Sequence, residues 1–408
     1  MDRMAPRDEA DVAAIVGAAT ANECPLELVG GGSRRDLGRP SSARAVVSTK
    51  SLNGITLYEP SELVLSAQAG TPLKSIAELL DQHGQELAFE PIDHARILGG
   101  AAGTGTVGGM IAVNASGPRR IRSGAARDYL LGFRAISGRG ELFKSGGRVM
   151  KNVTGYDMSK LMTGSYGTLG VLTEVTLKVL PKSETESTVL VTGLDDAAAV
   201  HHMTRVSGLS LEVSCFAHIP LAMPRQVPAL NGHFSQTPVT CFRVEGPKIS
   251  VDERCAALRK SMGDAAAKVE VIEGAVSRAL WLAVRDVVDI LGPDGVIWRV
   301  STAPAEGARL VAALQSRGLP MTGYFYDWAG GLIWLALKPA QDVSAAEIRK
   351  EVDKHGGHAT LIRAGASVRS SVPVFHPQPP ALAALSSRIR RSFDPALILN
   401  RGRMREDL

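Results

Sequence analysis

The residues with the clearest chemical purpose are glycines, and they stand at three separated turns of this 408-residue chain. The first turn is Gly30-Gly31-Gly32-Ser33-Arg34-Arg35, the second Gly103-Thr104-Gly105-Thr106-Val107-Gly108-Gly109, and the third Gly164-Ser165-Tyr166-Gly167-Thr168-Leu169-Gly170. A diphosphate is held by several main-chain N–H groups at once, and a Cβ on each residue would keep that backbone away from it. Thr104 and Thr106 add hydroxyl donors, and a helix starting at Val107 would turn its positive end to an anion, with Gly108 and Gly109 allowing close approach. Asn114, placed on that helix, could offer its amide. Each turn alone reads equally well as a surface loop or a turn before a strand; the argument is their combination.

Gly103 to Gly108 also fits G-x-G-x-x-G, and Asp128 stands 20 residues beyond it. That pattern marks a nicotinamide-dinucleotide site only where it closes the first strand of a βαβ unit. Arg96-Ile97-Leu98-Gly99-Gly100-Ala101-Ala102 reads as a loop, so this reading is set aside.

The elements positioning these turns can be traced from periodicity. Residues 9–21 read as a helix, Pro25–Val29 and Ala45–Thr49 as strands, Leu63–Gln68 as a third strand, and Thr71 to Gly84 as a helix opened by Pro72. This alternation suggests an α/β arrangement for the first ninety residues. A hairpin follows over residues 129–144, a short helix at Asp157–Met162, and a strong β run from Val171 to Leu180. After Pro181 the Gly-rich loops cease. Strands are expected at 188–192, 211–217, 239–244, 268–272, 296–301, 322–327, 332–338 and 359–363. Helices are expected at 195–206, 250–262, 275–291, 305–317 and 344–355. An antiparallel sheet with helices on one face is the expected result. Pro373–Pro380 is a Pro-rich connector before a final helix over 381–393.

Composition narrows the function. Hydrophobic residues make up 45% and charged residues 21%, the profile of a globular protein. The net charge of +5 is spread along the chain. Its densest basic cluster, Arg119, Arg120 and Arg122, reads as a solvated loop or as a patch for phosphate or an acidic partner. No basic stripe interleaved with aromatics is present, so nucleic-acid binding is not expected. Cys24, Cys215, Cys241 and Cys255 form no C-x-x-C, which argues against zinc or iron–sulfur ligation by this chain. Scattered thiols, no apolar leader and no run of about 18 apolar residues point to the reducing cytoplasm, with membrane contact only through partners.

Taken together, "TVGGMIAVNASGPRRIRSGAARDYLLG", "GGRVMKNVTGYDMSKLMTGSYGTLGVLTEVTLKVLP" and the tail "FDPALILNRGRM" resemble the FAD-binding domain of the vanillyl-alcohol oxidase/p-cresol methylhydroxylase type. Within it they look most like the FAD-binding subunits of glycolate oxidase (glycolate dehydrogenase) complexes. The resemblance implies an α+β chain: a two-part FAD-binding domain over 1–183, an antiparallel cap domain over 184–372, and a tail over 373–408 returning to the first. It implies FAD held by Gly31, Gly32, Ser33 and Arg34, by Thr104, Gly105, Thr106, Gly108 and Gly109, and along Asn114, Ser116, Gly117, Gly170 and Val171, with Asn400 near the flavin ring. Relatives that attach flavin covalently use a His in the first loop or a Cys in the second. Ser33 stands in the first loop here and no Cys lies between 25 and 214, so FAD is expected to be non-covalent. Arg401 replaces a Pro of the usual tail signature, which leaves the path of the tail open.

The implied function is that of the FAD-binding subunit of a complex that oxidises a small 2-hydroxy acid. Its partners would be a catalytic flavoprotein subunit and an iron–sulfur subunit. The Gly-Glu-His-Gly motif of the catalytic relatives is absent; His355-Gly356-Gly357-His358 is the nearest pattern, and a turn explains it equally. No catalytic residue or metal ligand is assigned, and His94 reads as structural. Arg243, Arg299 and Arg363 are candidates for gripping a substrate carboxylate. The competing reading is a non-catalytic FAD-holding assembly subunit; a weaker one is a cell-wall precursor reductase of the same fold, requiring NADPH.

Overall fold

The computed structural model describes residues 2–147, 155–220, 237–263 and 268–406. It divides into two compact units. One comprises 1–116, 124–182 and 377–408, and the other 117–123 and 183–376. Relative to the expected division, the short segment 117–123 passes to the second unit, which ends at 376 rather than 372.

Besides a short antiparallel pair of Gln85–Glu86 with Leu180–Pro181, two larger sheets build the first unit. A parallel sheet sets Ala45–Ser48 between Asp2–Met4 and Leu26–Val29. Helix Glu9–Ala21 covers it, opened by Asp8, whose carboxylate accepts the amide of Asp11 at 2.8 Å. Val12 and Val16 of this helix are buried with Leu26, Val47, Ile136, Val171 and Leu399. The second sheet is antiparallel, in the order Ile55–Glu59, Val64–Gln68, Val171–Lys178, Leu130–Ile136, Leu142–Gly146.

The α/β alternation therefore does not extend through Val64–Gln68. That strand leaves the parallel sheet and pairs with a partner more than a hundred residues later. Ser66 and Thr176 share a buried hydroxyl hydrogen bond of 2.8 Å across the pair. Strand Ile55–Glu59, not foreseen, is half-exposed throughout and so carries little hydrophobic signal.

The second unit is built on one eight-stranded antiparallel sheet, ordered 268–273, 185–192, 239–246, 215–219, 321–327, 332–337, 296–302, 357–363. Every strand and long helix expected here forms, with ends moved by a few residues. Alternate strand residues, among them Val189, Phe242, Trp298, Val300, Ile333, Leu335 and Leu361, pack against helices Asp196–Ser207, Lys248–Met262, Gly307–Ser316 and Ala345–His355. Helix Gly274–Asp286 ends at a positive-φ Val287, where the expectation ran on to 291. It lies on the opposite side of its strand neighbour from that core. Thr188, which alternates with the core residues Val189 and Val191, bonds Trp281 Nε1 at 2.8 Å and Ser277 at 2.7 Å. No described helix is long and apolar enough to cross a membrane.

Candidate functional site

The first unit contains an open cleft. Its lining includes Gly31, Gly32, Ser33 and Arg34 of the first turn, Thr106, Gly108 and Gly109 of the second, and Gly170 and Val171 after the third, together with Asn400. The three Gly-rich turns thus meet at one place, although they are far apart in sequence.

Steric closeness explains the glycines. A Cβ on Gly31 would run into the carbonyl oxygen of Thr104, and one on Gly30 into the Thr106 hydroxyl. A Cβ on Gly108 would stand 2.7 Å from Cβ and 2.8 Å from the carbonyl oxygen of Ala69. The Gly108 amide is itself used, donating to Ala69 O at 2.8 Å, and that of Val107 donates to Thr71 O at 3.0 Å. These two amides therefore fasten the second turn to its neighbours and are not offered to a ligand. Gly32 adopts φ +84, the left-handed conformation that lets successive amides face one side. Among the described residues, no acceptor meets the amides of Gly31, Gly32, Ser33 or Arg34.

Arg34 supplies charge. Its Nη1 donates to Ser33 Oγ at 3.2 Å and lies where a Cβ on Gly105 or Gly109 would come within 3.3 Å. Its Nε is buried without a hydrogen-bond partner. Burial lowers its pKa to about 10, against the opposing pull of Asp93 and Tyr166. A desolvated guanidinium with an orphaned donor beside four open amides fits a diphosphate.

The tail closes the cleft. Asn400, at φ 44, receives the amide of Leu28 on Oδ1 at 2.8 Å, donates Nδ2 to Tyr166 O at 2.7 Å, and sends its own amide to Leu26 O at 2.9 Å. Arg403 donates to Arg35 O at 2.7 Å and to Glu27 at 2.9 Å. The path left open by Arg401 is thereby settled: residues 399–403 run beside the strand Leu26–Val29, and Arg401 itself is exposed in a turn. Tyr166 and Arg403 line the cleft, although the sequence reading, which had them in the third turn and the tail, gave neither a role at the cofactor. Arg403 had a signal, three residues past Asn400 in a basic tail; Tyr166 is used through its backbone, which composition does not reveal.

The remaining expected residues lie off the lining. Thr104 and Gly105 back the first turn and Arg34. The helix begins at Val107 as expected but ends at Ala112, short of Asn114. The amides of Gly164 and Tyr166 take the carbonyls of Ile111 and Ala112, which ends the helix and leaves Asn114 at φ 53. Asn114 Oδ1 accepts Arg127 N at 3.1 Å, and Ser116 Oγ accepts Ala126 N at 3.0 Å. Gly117 belongs to the second unit, where its carbonyl accepts Trp328 Nε1. Of the run from Lys151 to Asp157, residues 151–154 lie outside the described ones.

The basic cluster is partly buried and its members are fastened within their unit. Arg119 pairs with buried Glu245 and Arg122 with Glu212, while Arg120 stacks on Trp328. Of the three candidate arginines, Arg363 donates to the carbonyls of Gly292, Asp294 and Gly295. Arg243 is buried against Cys215 Sγ, Glu245 and the Trp281 ring. Arg299 stacks on Trp328. His355 bonds Glu306 at 2.8 Å, and no group of three His, Cys, Asp or Glu gathers as a metal site among the described residues. His94 is buried on a four-residue helix, His94–Ile97.

Residues 3–146 match the family profile described as the FAD binding domain. Along nearly its whole length the chain is 32% identical to glycolate oxidase subunit GlcE of Escherichia coli (strain K12), over 394 residues that cover 96% of each. The chain belongs to that family. Glycolate oxidase subunit GlcD of Bacillus subtilis (strain 168) is 30% identical over 188 residues, 46% of this chain and 38% of that one. D-lactate dehydrogenase of Archaeoglobus fulgidus is 33% identical over 178 residues, 43% of this chain and 38% of that one. In fold alone, p-cresol methylhydroxylase with substrate bound matches 98% of this chain and 88% of its own at TM-score 0.68 and 16% identity. The 4-ethylphenol oxidase of Gulosibacter chungangensis matches 99% and 88% at TM-score 0.70 and 12% identity. The two-part FAD-binding architecture with an antiparallel cap is therefore shared with that group, and the family is one of FAD-linked oxidoreductases.

Proposed function

We propose that this chain is the FAD-binding subunit of a glycolate-type oxidase or dehydrogenase that takes electrons from a small 2-hydroxy acid and passes them to partner subunits. The observation carrying the reading is the meeting of three Gly-rich turns, with the orphaned Arg34 Nε, in one cleft. In this proposal the amides of Gly31, Gly32, Ser33 and Arg34 and the Arg34 guanidinium hold the diphosphate. Thr106, Gly108, Gly109, Gly170, Val171 and Asn400 shape the cleft along the cofactor. Thr104 and Gly105 keep the first turn in place, and Asn114, Ser116 and Gly117 brace the segment beyond. When bound, FAD supplies the two-electron acceptor for oxidation at the hydroxyl-bearing carbon. The chain's own work is to bind that group, orient it and keep water from it.

Attachment is non-covalent in this reading, because the cleft presents Ser33 where a His would be needed and the chain has no Cys between 25 and 214. The partners are a catalytic flavoprotein subunit and an iron–sulfur subunit, and contact with a membrane comes through them. A second reading, a FAD-holding assembly subunit without its own turnover, is favoured by one contrast. The full-length match is to a protein named as a subunit, while the D-lactate dehydrogenase match covers under half of this chain.

The test is the visible spectrum of the purified chain before and after acid precipitation, followed by anaerobic addition of glycolate. Flavin released to the supernatant is expected. Flavin retained in the pellet overturns non-covalent attachment, and a colourless protein that takes up no FAD overturns the whole reading. Bleaching by glycolate in the isolated chain favours catalysis; bleaching only in the presence of the partners favours the assembly role.

A further inference from the structure

Residues 379–385 read Pro-Pro-Ala-Leu-Ala-Ala-Leu, an unbroken apolar run that opens the helix Pro380–Phe393. A helix on a folded unit ordinarily turns such residues to the core. Here all of them are exposed except the half-buried Ala383, with Leu382 at 47% and Leu385 at 43%. Among the described residues of the helix only Arg390, a cation, is buried. A continuous apolar stretch left open to water marks a surface that something else covers.

The helix is fastened to the first unit at its far end. Arg390 Nη2 donates to Leu399 O at 3.0 Å, the Gly138 amide to Phe393 O at 2.9 Å, and Arg139 Nη1 to Ser392 O at 2.6 Å. The Phe393 ring packs on Phe143 with centroids 5.6 Å apart. Nearer its start, Arg405 Nη1 reaches Ala383 O at 3.4 Å. At 3.6 residues per turn, Leu382, Leu385 and half-buried Ile389 fall within about 60° of one another on one flank. Their spacing of i, i+3 and i+7 is that of the anchors on a helix laid into a partner's groove.

Charge says what kind of groove. Arg388 and Arg391 are exposed beside that flank, and among the described residues no carboxylate meets either. The stretch 376–393 contains no Asp or Glu. Exposed Arg139, on the carbonyl of Ser392, adds a third cation at the same end.

We propose that helix Pro380–Phe393 is the docking surface for a partner subunit that presents an apolar groove edged by carboxylates. The groove receives Leu382, Leu385 and Ile389, and its rim pairs with Arg388 and Arg391. This rests on the proposed function, which supplies the partner subunits, and names the part of this chain that one of them holds. A second copy of the chain does not suit the surface, because two such helices face to face bring cations from both sides and no carboxylate. A lipid interface suits it less, because binding there scales with apolar area and the leucines are already half-covered.

The test titrates the FAD-loaded chain with each purified partner subunit, the catalytic flavoprotein and the iron–sulfur protein, with binding read by calorimetry. The variants are Leu382→Gln with Leu385→Gln, Arg388→Glu with Arg391→Glu, Arg388→Lys with Arg391→Lys, and Lys338→Gln as a control in the other unit. One partner is expected to bind the unchanged chain and to lose tenfold or more in affinity to the Gln pair and to the Glu pair. The Lys pair and the control keep most of it. Raising salt from about 0.1 M to about 1 M shortens the screening length from about 10 Å to about 3 Å. It is expected to weaken binding of the unchanged chain and to leave the Glu pair little affected. FAD content and melting temperature stay unaltered throughout, since the substituted side chains are exposed. Undiminished affinity in the Gln pair or the Glu pair, or binding indifferent to salt, overturns the inference. So does self-association of the chain, or its binding to vesicles of anionic phospholipid, if the same substitutions abolish it. A partner that binds every variant equally removes this inference alone, whereas an unchanged chain that binds neither partner removes the proposed assembly as well.

Discussion

At the scale of single residues, the cleft depends on backbone that has no room for a methyl group. Gly31 approaches the Thr104 carbonyl so closely that an added Cβ must displace the first turn, the second turn, or both. Overpacking of this kind costs about 1–3 kcal/mol, and here the displaced atoms carry the ligand-facing amides. Gly31→Ala is therefore expected to weaken FAD binding about tenfold or more, read by flavin titration of the apo-protein; an unchanged affinity would remove the first turn from the site. Arg34 was legible as a cation next to glycines. Its orphaned Nε was not, because an unpaired donor is a property of what surrounds the side chain.

At the scale of elements, the tail and the first parallel sheet are joined by one carboxylate. Glu27 projects from strand Leu26–Val29 and receives Arg35 Nη2 at 2.6 Å and Arg403 Nη2 at 2.9 Å. Burial would raise its pKa, but the hydrogen bond from Arg35 and the charges of Arg403 and Arg35 outweigh it and hold the carboxyl below its ordinary value. A carboxyl with a depressed folded pKa contributes stability above the ordinary glutamate value, and that stability is lost as pH falls through the folded value. Glu27→Gln leaves the buried Arg403 without its counter-charge and is expected to cost about 3 kcal/mol at pH 7. The deficit should shrink as pH falls through the folded value, where the native carboxyl also protonates. Urea midpoints measured from pH 7 downward through the acid range check this; a deficit that stays constant throughout would mean the charge plays no part. The tail helix was legible from its apolar and basic pattern, whereas the pairing of Arg403 with Glu27 spans 376 residues and has no local signature.

At the scale of the molecule, each unit has its own apolar core. One is built on helix Glu9–Ala21 and the parallel sheet, the other on the eight-stranded sheet and four helices. The lining of the cleft belongs wholly to the first unit. A ligand bound to one folded unit stabilises that unit by roughly 2.7 kcal/mol at a hundredfold excess over its Kd, which for a unit of this size is about 6–10 °C in Tm. Calorimetry of the full chain is expected to show two transitions, with FAD raising one and leaving the other in place. A single transition that moves as a whole would mean that the units unfold together.

Local order in this protein is written locally. Periods of two and of about 3.6 residues sufficed to place nearly every strand and helix of the second unit, because burial on one face imposes those periods directly. The same information read Leu63–Gln68 into an α/β alternation, since a strand's pattern records which faces are covered and not which strand lies beside it. It overextended the helix at Val107, whose end is set by amides of Gly164 and Tyr166 arriving from another turn. It also left three arginines equivalent that the fold makes different: one on carbonyls, one sealed against Glu245, and one stacked on Trp328. Composition and spacing determine what a segment can become; which groups meet, and which charge is left facing a ligand, follows from contacts between residues hundreds of positions apart.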